Sequence, residues 1–244
     1  MEFLADVIEW FTDGTNIWGG EGLLNRLREH VQLSGTALLL AMVVALPLGL
    51  VTGHTGRGGM VATNVSNLGR AIPSLTFLGV AFFLFGIGNT PALVALVALA
   101  VAPMVTNTYT AIRSVDPEVR ESAVGMGLTG AQVLRRVELP MGLPLIMAGI
   151  RTSGVQVVAT ATLAAYVGGG GLGRFIRSGL ATRDFIEVFA GALLVALLSI
   201  VTEIALGAAQ RALVPKGLVA RGGDELSIRP GAATAANPTA SVAG

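Results

Sequence analysis

Long apolar runs separated by short polar breaks dominate the chain, and each run can be matched against the roughly 20 residues that an α-helix needs to cross hydrocarbon. The first extends from Val31 to Thr52, with Pro47 inside it predicting a bend. A second begins near Arg70 and continues through IPSLTFLGVAFFLFGIG to Gly88 and Asn89. A third follows Pro91 through ALVALVALAVAPMVTNTYTAI, where Pro103 predicts a kink or a packed break. The fourth runs from about Pro144 through LIMAGIRTSGVQVVATATLAAYV and stops at four glycines, Gly168, Gly169, Gly170 and Gly171. Asp184 with Glu187 fits a capping box that opens a fifth run, Phe185 to about Leu206. The expected fold is therefore all-α and polytopic, with five transmembrane helices over residues 31–214.

Three stretches fall outside this pattern. Residues 1–30 alternate acidic and apolar groups and read either as an interfacial helix, with Phe3, Leu4, Val7, Ile8, Trp10 and Phe11 on one side, or as a partly ordered arm. Leu172 to Arg183 reads as a re-entrant or interfacial connection. Residues 215–244 lack periodicity and are expected to be disordered.

The polar stretch from Asp116 to Pro140, DPEVRESAVGMGLTGAQVLRRVELP, reads as two short helices and a turn. Asp116 suits an N-cap and Pro117 the first helical position, whose N–H has no intrahelical partner. Glu118 and Glu121 favour the positive end of the helix dipole. Gly127 offers a left-handed stop, Thr129 with Gln132 forms a capping box for the second helix, and Pro140 is expected to end it.

Composition agrees with a membrane chain: 244 residues, 52% hydrophobic, 13% charged and 33 glycines lie outside the soluble globular class. The absence of cysteine excludes disulfides, thiolate metal sites and cysteine nucleophiles. Glu2, Asp6 and Glu9 give the first residues the wrong sign for a signal peptide. With five spans, Arg57, Arg113, Arg120, Arg135, Arg136, Arg211, Lys216 and Arg221 all fall on one side, which the positive-inside rule makes cytoplasmic. The N-terminus is then outside and the C-terminus inside. Arg174, Arg177 and Arg183 go against that bias.

Within the central stretch, Glu121-Ser122-Ala123, Gly127, Val137, Leu139 and Pro140 stand at the spacing of a known signature: Glu-Ala-Ala, three residues, Gly, nine residues, an aliphatic residue, any residue, Leu-Pro. The loop resembles the cytoplasmic coupling loop of ABC importer permeases, with serine for the first alanine and valine for the isoleucine. AIPSLTFLG at 71–79, NTYTAIRSVDPEV at 107–119, VELPMGLPLIMAGIRTS at 137–153 and ATLAAYVGGGGLG at 161–173 are similar to permeases of glycine betaine, choline, carnitine or proline betaine importers. The resemblance implies a coupling helix that docks on a separate ATPase subunit, a second permease subunit identical or related to this one, and an external solute-binding protein. ATP and Mg²⁺ would sit on the ATPase; this chain carries no Walker A pattern and is not expected to be an enzyme. Small Ala123 and Gly127 would let the docking surfaces approach, with Glu121 free for charge-assisted contacts. Two rivals stand: a permease for methionine or another small polar solute, and an ATP-independent channel.

Three sets of residues are candidates within the membrane. Ser153, Gln156 and Thr160 share helical spacing and either line the path or make ordinary helix contacts. Arg151 and Glu203 are expected near the same end of the fourth and fifth spans, as an inner charge pair or as two side chains that snorkel separately. Gly168 to Gly171 read as punctuation or, through backbone flexibility and the resemblance, as an outer gate.

Overall fold

The computed structural model describes residues 2–57, 64 and 72–214, and these form helices and turns with no strand among them. The expectations for a disordered tail and for most of the turn after Thr55 lie outside the described residues. In chain order the helices are α1 (Glu2–Thr12), α2 (Gly14–Ile17), α3 (Leu23–Thr55), α4 (Ser74–Phe85), α5 (Asn89–Arg113), α6 (Pro117–Gly125), α7 (Gly130–Val133), α8 (Leu139–Thr160), α9 (Gly173–Thr182) and α10 (Phe185–Leu213). A π-turn, Leu134–Glu138, joins α7 to α8, and a 3₁₀ segment, Ala161–Val167, extends α8.

Four described helical runs are long and apolar enough to cross a membrane: Leu23–Thr55, Asn89–Arg113, Gly130–Val167 and Phe185–Leu213. Among its described residues the second expected span is helical over the 12 residues of α4, which Gly86 and Gly88 end with φ of +77° and +129°. The first starts at Leu23 rather than Val31. Its extra turns carry Arg26 and His30, both buried, with Arg26 paired to Glu21 and Glu29, so polar side chains that would otherwise end a membrane helix are satisfied inside the fold.

The core is built on α3 and α5. A Cβ on Gly49 would stand 2.5 Å from Thr108 Cβ, and one on Gly53 2.8 Å from Ile112 Cβ, so these two helices touch almost backbone to backbone. Because Gly49 meets Thr108 and Gly53 meets Ile112, α3 and α5 run parallel and the chain returns between Thr55 and Asn89. α8 runs antiparallel to α5, with Gly149 on Asn107 and Gly142 on Ala111. Ala37, Ala41, Ala45, Ala100, Met104 and Val157 fill the centre. α10 lies against α8 and keeps Leu197, Ile200, Val201 and Ile204 exposed, the outward apolar face expected of a lipid-bathed helix.

At one end, α1 packs on α9 and α10: Phe3 meets Phe189 and Trp10 meets Phe175, each edge to face at 5.3 Å, while Leu4 and Ile8 stay exposed. The Leu172–Arg183 connection is an amphipathic helix, α9, which buries Phe175 and ends at Arg183 in the left-handed region, φ 62°.

Candidate functional site

The 116–140 stretch takes its shape from local hydrogen bonds. Asp116 accepts from Glu118 N–H at 2.9 Å and starts α6 with Pro117 in its first turn. At the other end of α6, Gly127 N–H donates to Val124 C=O at 2.8 Å and Leu128 N–H to Ala123 C=O at 3.2 Å, a Schellman pair that requires Gly127 at φ +86°. The Thr129–Gln132 capping box opens α7. Pro140, expected to close the stretch, does not. α7 continues through the π-turn into α8 with Pro140 in the first turn of α8, where the widened turn removes the need for the N–H that proline lacks.

Exposure divides the signature residues into two groups. Glu121, Ser122 and Gly127 are exposed, and Val137, Leu139 and Pro140 are half-buried at the junction with α8. Ala123, expected to lie against a partner, is 2% exposed and so is buried within this chain. The apolar surface at the tip comes instead from Val124 and Met126, 59% and 75% exposed, which the motif does not mark.

Beneath the tip lies a buried carboxylate. Glu138, 1% exposed, receives His54 Nδ1–H from the end of α3 at 2.6 Å on Oε2. Arg120 Nε from α6 lies 3.0 Å from its Oε1, close enough for an ion pair though not aligned as a hydrogen bond. Arg120 Nη2 also donates to the Ile112 carbonyl at the end of α5. Gly130, which opens α7, lies against the other side of the imidazole, where a Cβ would approach His54 Nε2 to 3.3 Å. One carboxylate thus joins α3, α6 and α8, and through Arg120 it reaches α5. Sequence reasoning missed all three side chains; the one available signal was a carboxylate between the apolar motif positions Val137 and Leu139.

The glycine run at the opposite end is held by hydrogen bonds along its length, which differs from the flexible segment expected. Gly170 N–H donates to Asn89 Oδ1 at 3.1 Å, Gly171 N–H to Glu29 Oε2 at 2.8 Å and Leu172 N–H to His30 Nδ1 at 3.2 Å. His30 Nε2–H donates in turn to the Val158 carbonyl at 2.9 Å, so both ring nitrogens are engaged and the ring is fully buried. Arg174 Nε donates to the Gly169 carbonyl at 2.8 Å, a structural use for one of the three arginines that opposed the charge bias. Gly168 and Gly171 have φ of +82° and +95°.

The remaining candidates separate. Ser153 is fully buried and donates to the Ala100 carbonyl of α5 at 3.2 Å, whereas Gln156 is exposed and Thr160 bonds back to the Gln156 carbonyl at 2.7 Å. The three do not form one lining surface, because Ser153 is turned into the α5–α8 contact. Arg151 and Glu203 do come together, with Arg151 Nη2 2.5 Å from Glu203 Oε1 and both side chains near two-fifths exposed. They line a groove of about 500 Å³ between α8 and α10 with Pro144, Gly207, Gln210 and Arg211. Among the described residues no cluster of His, Asp or Glu could hold a metal ion.

The family model described as "Binding-protein-dependent transport system inner membrane component" matches residues 45–216. The chain is 42% identical over 200 residues to the choline transport system permease protein OpuBB of Bacillus subtilis, which covers 82% of this chain and 92% of that one. It is 40% identical, with the same coverage, to the glycine betaine/carnitine/choline permease OpuCB of that organism. The osmoprotectant import permease OsmW of Salmonella typhimurium is 38% identical, over 78% of this chain and 91% of that one. Among solved structures, the inward-facing MetNI methionine ABC transporter superposes with a TM-score of 0.69 at 22% identity, covering 79% of this chain and 96% of that one. An amino acid ABC transporter solved with histidines superposes at 0.67 and 18% identity, covering 87% and 99%. These two establish the shared fold.

Proposed function

This chain belongs to the family of binding-protein-dependent transport system inner membrane components, and from that membership we propose that its cargo is a compatible solute of the choline, glycine betaine or carnitine type. It is a transporter permease and not an enzyme. Identities of 38–42% to choline, glycine betaine/carnitine/choline and osmoprotectant permeases support the cargo. The methionine transporter shares the fold at 22% identity, too low to carry cargo across.

The observation that carries the mechanism is the loop tip. Val124 and Met126 present apolar surface beside the exposed carboxylate of Glu121, on a loop anchored to the ends of α3 and α5. Such a tip suits a groove on an ATPase subunit, where apolar side chains seat and Glu121 selects the register. ATP with Mg²⁺ is hydrolysed on that partner, and a second permease subunit, identical or related, completes the path between them. The parallel run of α3 and α5 supports five crossings, with the return in the segment containing α4. Arg113, Arg120, Arg135, Arg136 and Arg211 then lie on the cytoplasmic side, with the N-terminus outside.

Solute selection falls to the external binding protein. A quaternary ammonium is held by an aromatic cage, and here Trp10 is engaged with Phe11 and Phe175 in the arm. Gln156, exposed on α8, is the remaining candidate for the path; Arg151 with Glu203 serves the inner gate, and Gly168 to Gly171 serve the outer one. In proteoliposomes with ATPase and binding protein, uptake of labelled glycine betaine is expected to require ATP and to be competed by choline or carnitine. Competition by methionine alone would overturn the cargo, and uptake that persists with an inactivated ATPase would favour a channel.

A further inference from the structure

We infer that Glu138 is a positioning residue for coupling: by binding His54 and Arg120 it makes the docking loop and the inner end of α3 a single moving body. The inference rests on the reading of the 116–140 loop as the ATPase-docking element. Covalently, the loop leads from α5 into α8, so a push at its tip reaches those two helices through the backbone. α3 has no such connection. Leu46 and Leu50 of α3 share an apolar cluster with Leu134 and Leu139, a non-directional contact that can slide; the polar link from α3 to the loop is His54, held on Glu138 Oε2 at 2.6 Å and flanked by Gly130. A carboxylate that is 1% exposed, with a cation and an imidazole on it, is a poor sliding surface, because separating the groups would leave a charge unpaired in a medium of low dielectric.

The placement on α3 also gives the link reach. His54 lies 24 positions beyond His30, about 36 Å along a helix rising 1.5 Å per residue. At that far end Glu29 and His30 hold the backbone of Gly171 and Leu172. Movement delivered to α3 at Glu138 therefore arrives at the glycine run without passing through α8.

The test uses the assembled importer with its ATPase and binding protein in proteoliposomes. The natural sequence has no cysteine, so spin labels can be placed on introduced cysteines at Val43 of α3 and Ile200 of α10, or at Arg135 of the loop and Ile200, all exposed positions. Trapping nucleotide in the otherwise natural protein is expected to shift both distances. His54→Ala keeps the Arg120–Glu138 pair, and is expected to preserve the loop shift, reduce the α3 shift to what apolar packing on α5 transmits and lower solute moved per ATP about tenfold, within the usual range of coupling between sites. His54→Asn, whose amide N–H can occupy the place of Nδ1, should restore both readouts, which a loss of packing would not. Glu138→Leu, which removes the acceptor and fills its volume, should likewise diminish the α3 shift. An undiminished α3 shift and solute-to-ATP ratio in both His54→Ala and Glu138→Leu would overturn the inference. A loop that does not shift in the natural protein would refute the docking assignment, and the inference with it.

Discussion

At the N-terminal end of α3, outer in the proposed orientation, Glu29 and His30 hold backbone N–H groups of the glycine run; at its C-terminal, inner end, His54 holds the buried side chain of Glu138. The outer contact reads shape. Gly171 holds φ +95°, and a Cβ there would fall 3.1 Å from His30 Nδ1 and 3.3 Å from His30 Cα, so the loop sits where it does because that position has no side chain. The inner contact reads charge, through a carboxylate shared by an arginine and a histidine. Two loops on one helix are thus protected by different rules, one broken by adding atoms and the other by removing a charge.

That contrast orders the expected effects of substitution. Glu138→Ala should be the most damaging, about 3–5 kcal/mol as for other buried pairs that lose one partner, read as a fall in the melting temperature of the purified complex. A loss below about 1 kcal/mol would mean that the pair is more hydrated than its burial indicates. Gly171→Ala should cost about 1–3 kcal/mol through left-handed strain and crowding of His30, and Glu29→Gln less, about 1 kcal/mol, because an amide oxygen still accepts from Gly171 N–H and Arg26 keeps Glu21 as a partner. If Glu29→Gln proved as severe as Glu138→Ala, the outer contact would also depend on charge and the contrast would fail. Gly127→Ala should cost about 1–2 kcal/mol, since an L-residue in the left-handed region is strained by that amount, with the loss confined to the loop and visible as faster amide exchange at Leu128. The smallest effect on stability belongs to Glu203→Gln, under about 1 kcal/mol for a pair this exposed. Its uptake rate is expected to fall several-fold nonetheless, and unchanged uptake would remove the gate role.

What could be read from sequence was what is local. Asp116, Gly127, the Thr129–Gln132 box and Asp184 all act on residues two to five positions away, and each does so in the structure. The four longest helical runs were visible as apolar segments for the same reason. The two contacts that organise the ends of α3 were not. His54 and Glu138 are 84 positions apart, and Glu29 and Gly171 are 142 apart, so no periodicity brings them together. Arg26 and His30 fall in the 1–30 arm ahead of the expected span; Glu21 and Glu29 around Arg26, and the Val158 carbonyl of α8 on His30, are what let the helix include them. Ala123 was assigned outward from its motif position and its smallness, whereas it is buried within the chain. Arg151 and Glu203 were within reach of sequence reasoning because each lies near the same end of an antiparallel pair, and they meet at 2.5 Å.

The central claim is that the 116–140 loop carries the ATPase, and one cross-linking measurement addresses it directly. Met126→Cys, the sole cysteine in the chain, can be labelled with a photoreactive maleimide in the assembled importer and irradiated, with an exposed outer position, Thr182→Cys, as the control. The account requires cross-linking of Met126→Cys to the ATPase subunit and none from Thr182→Cys. Cross-linking from Thr182→Cys but not from Met126→Cys would place the ATPase at the other end of the bundle and contradict both the docking loop and the orientation built on it.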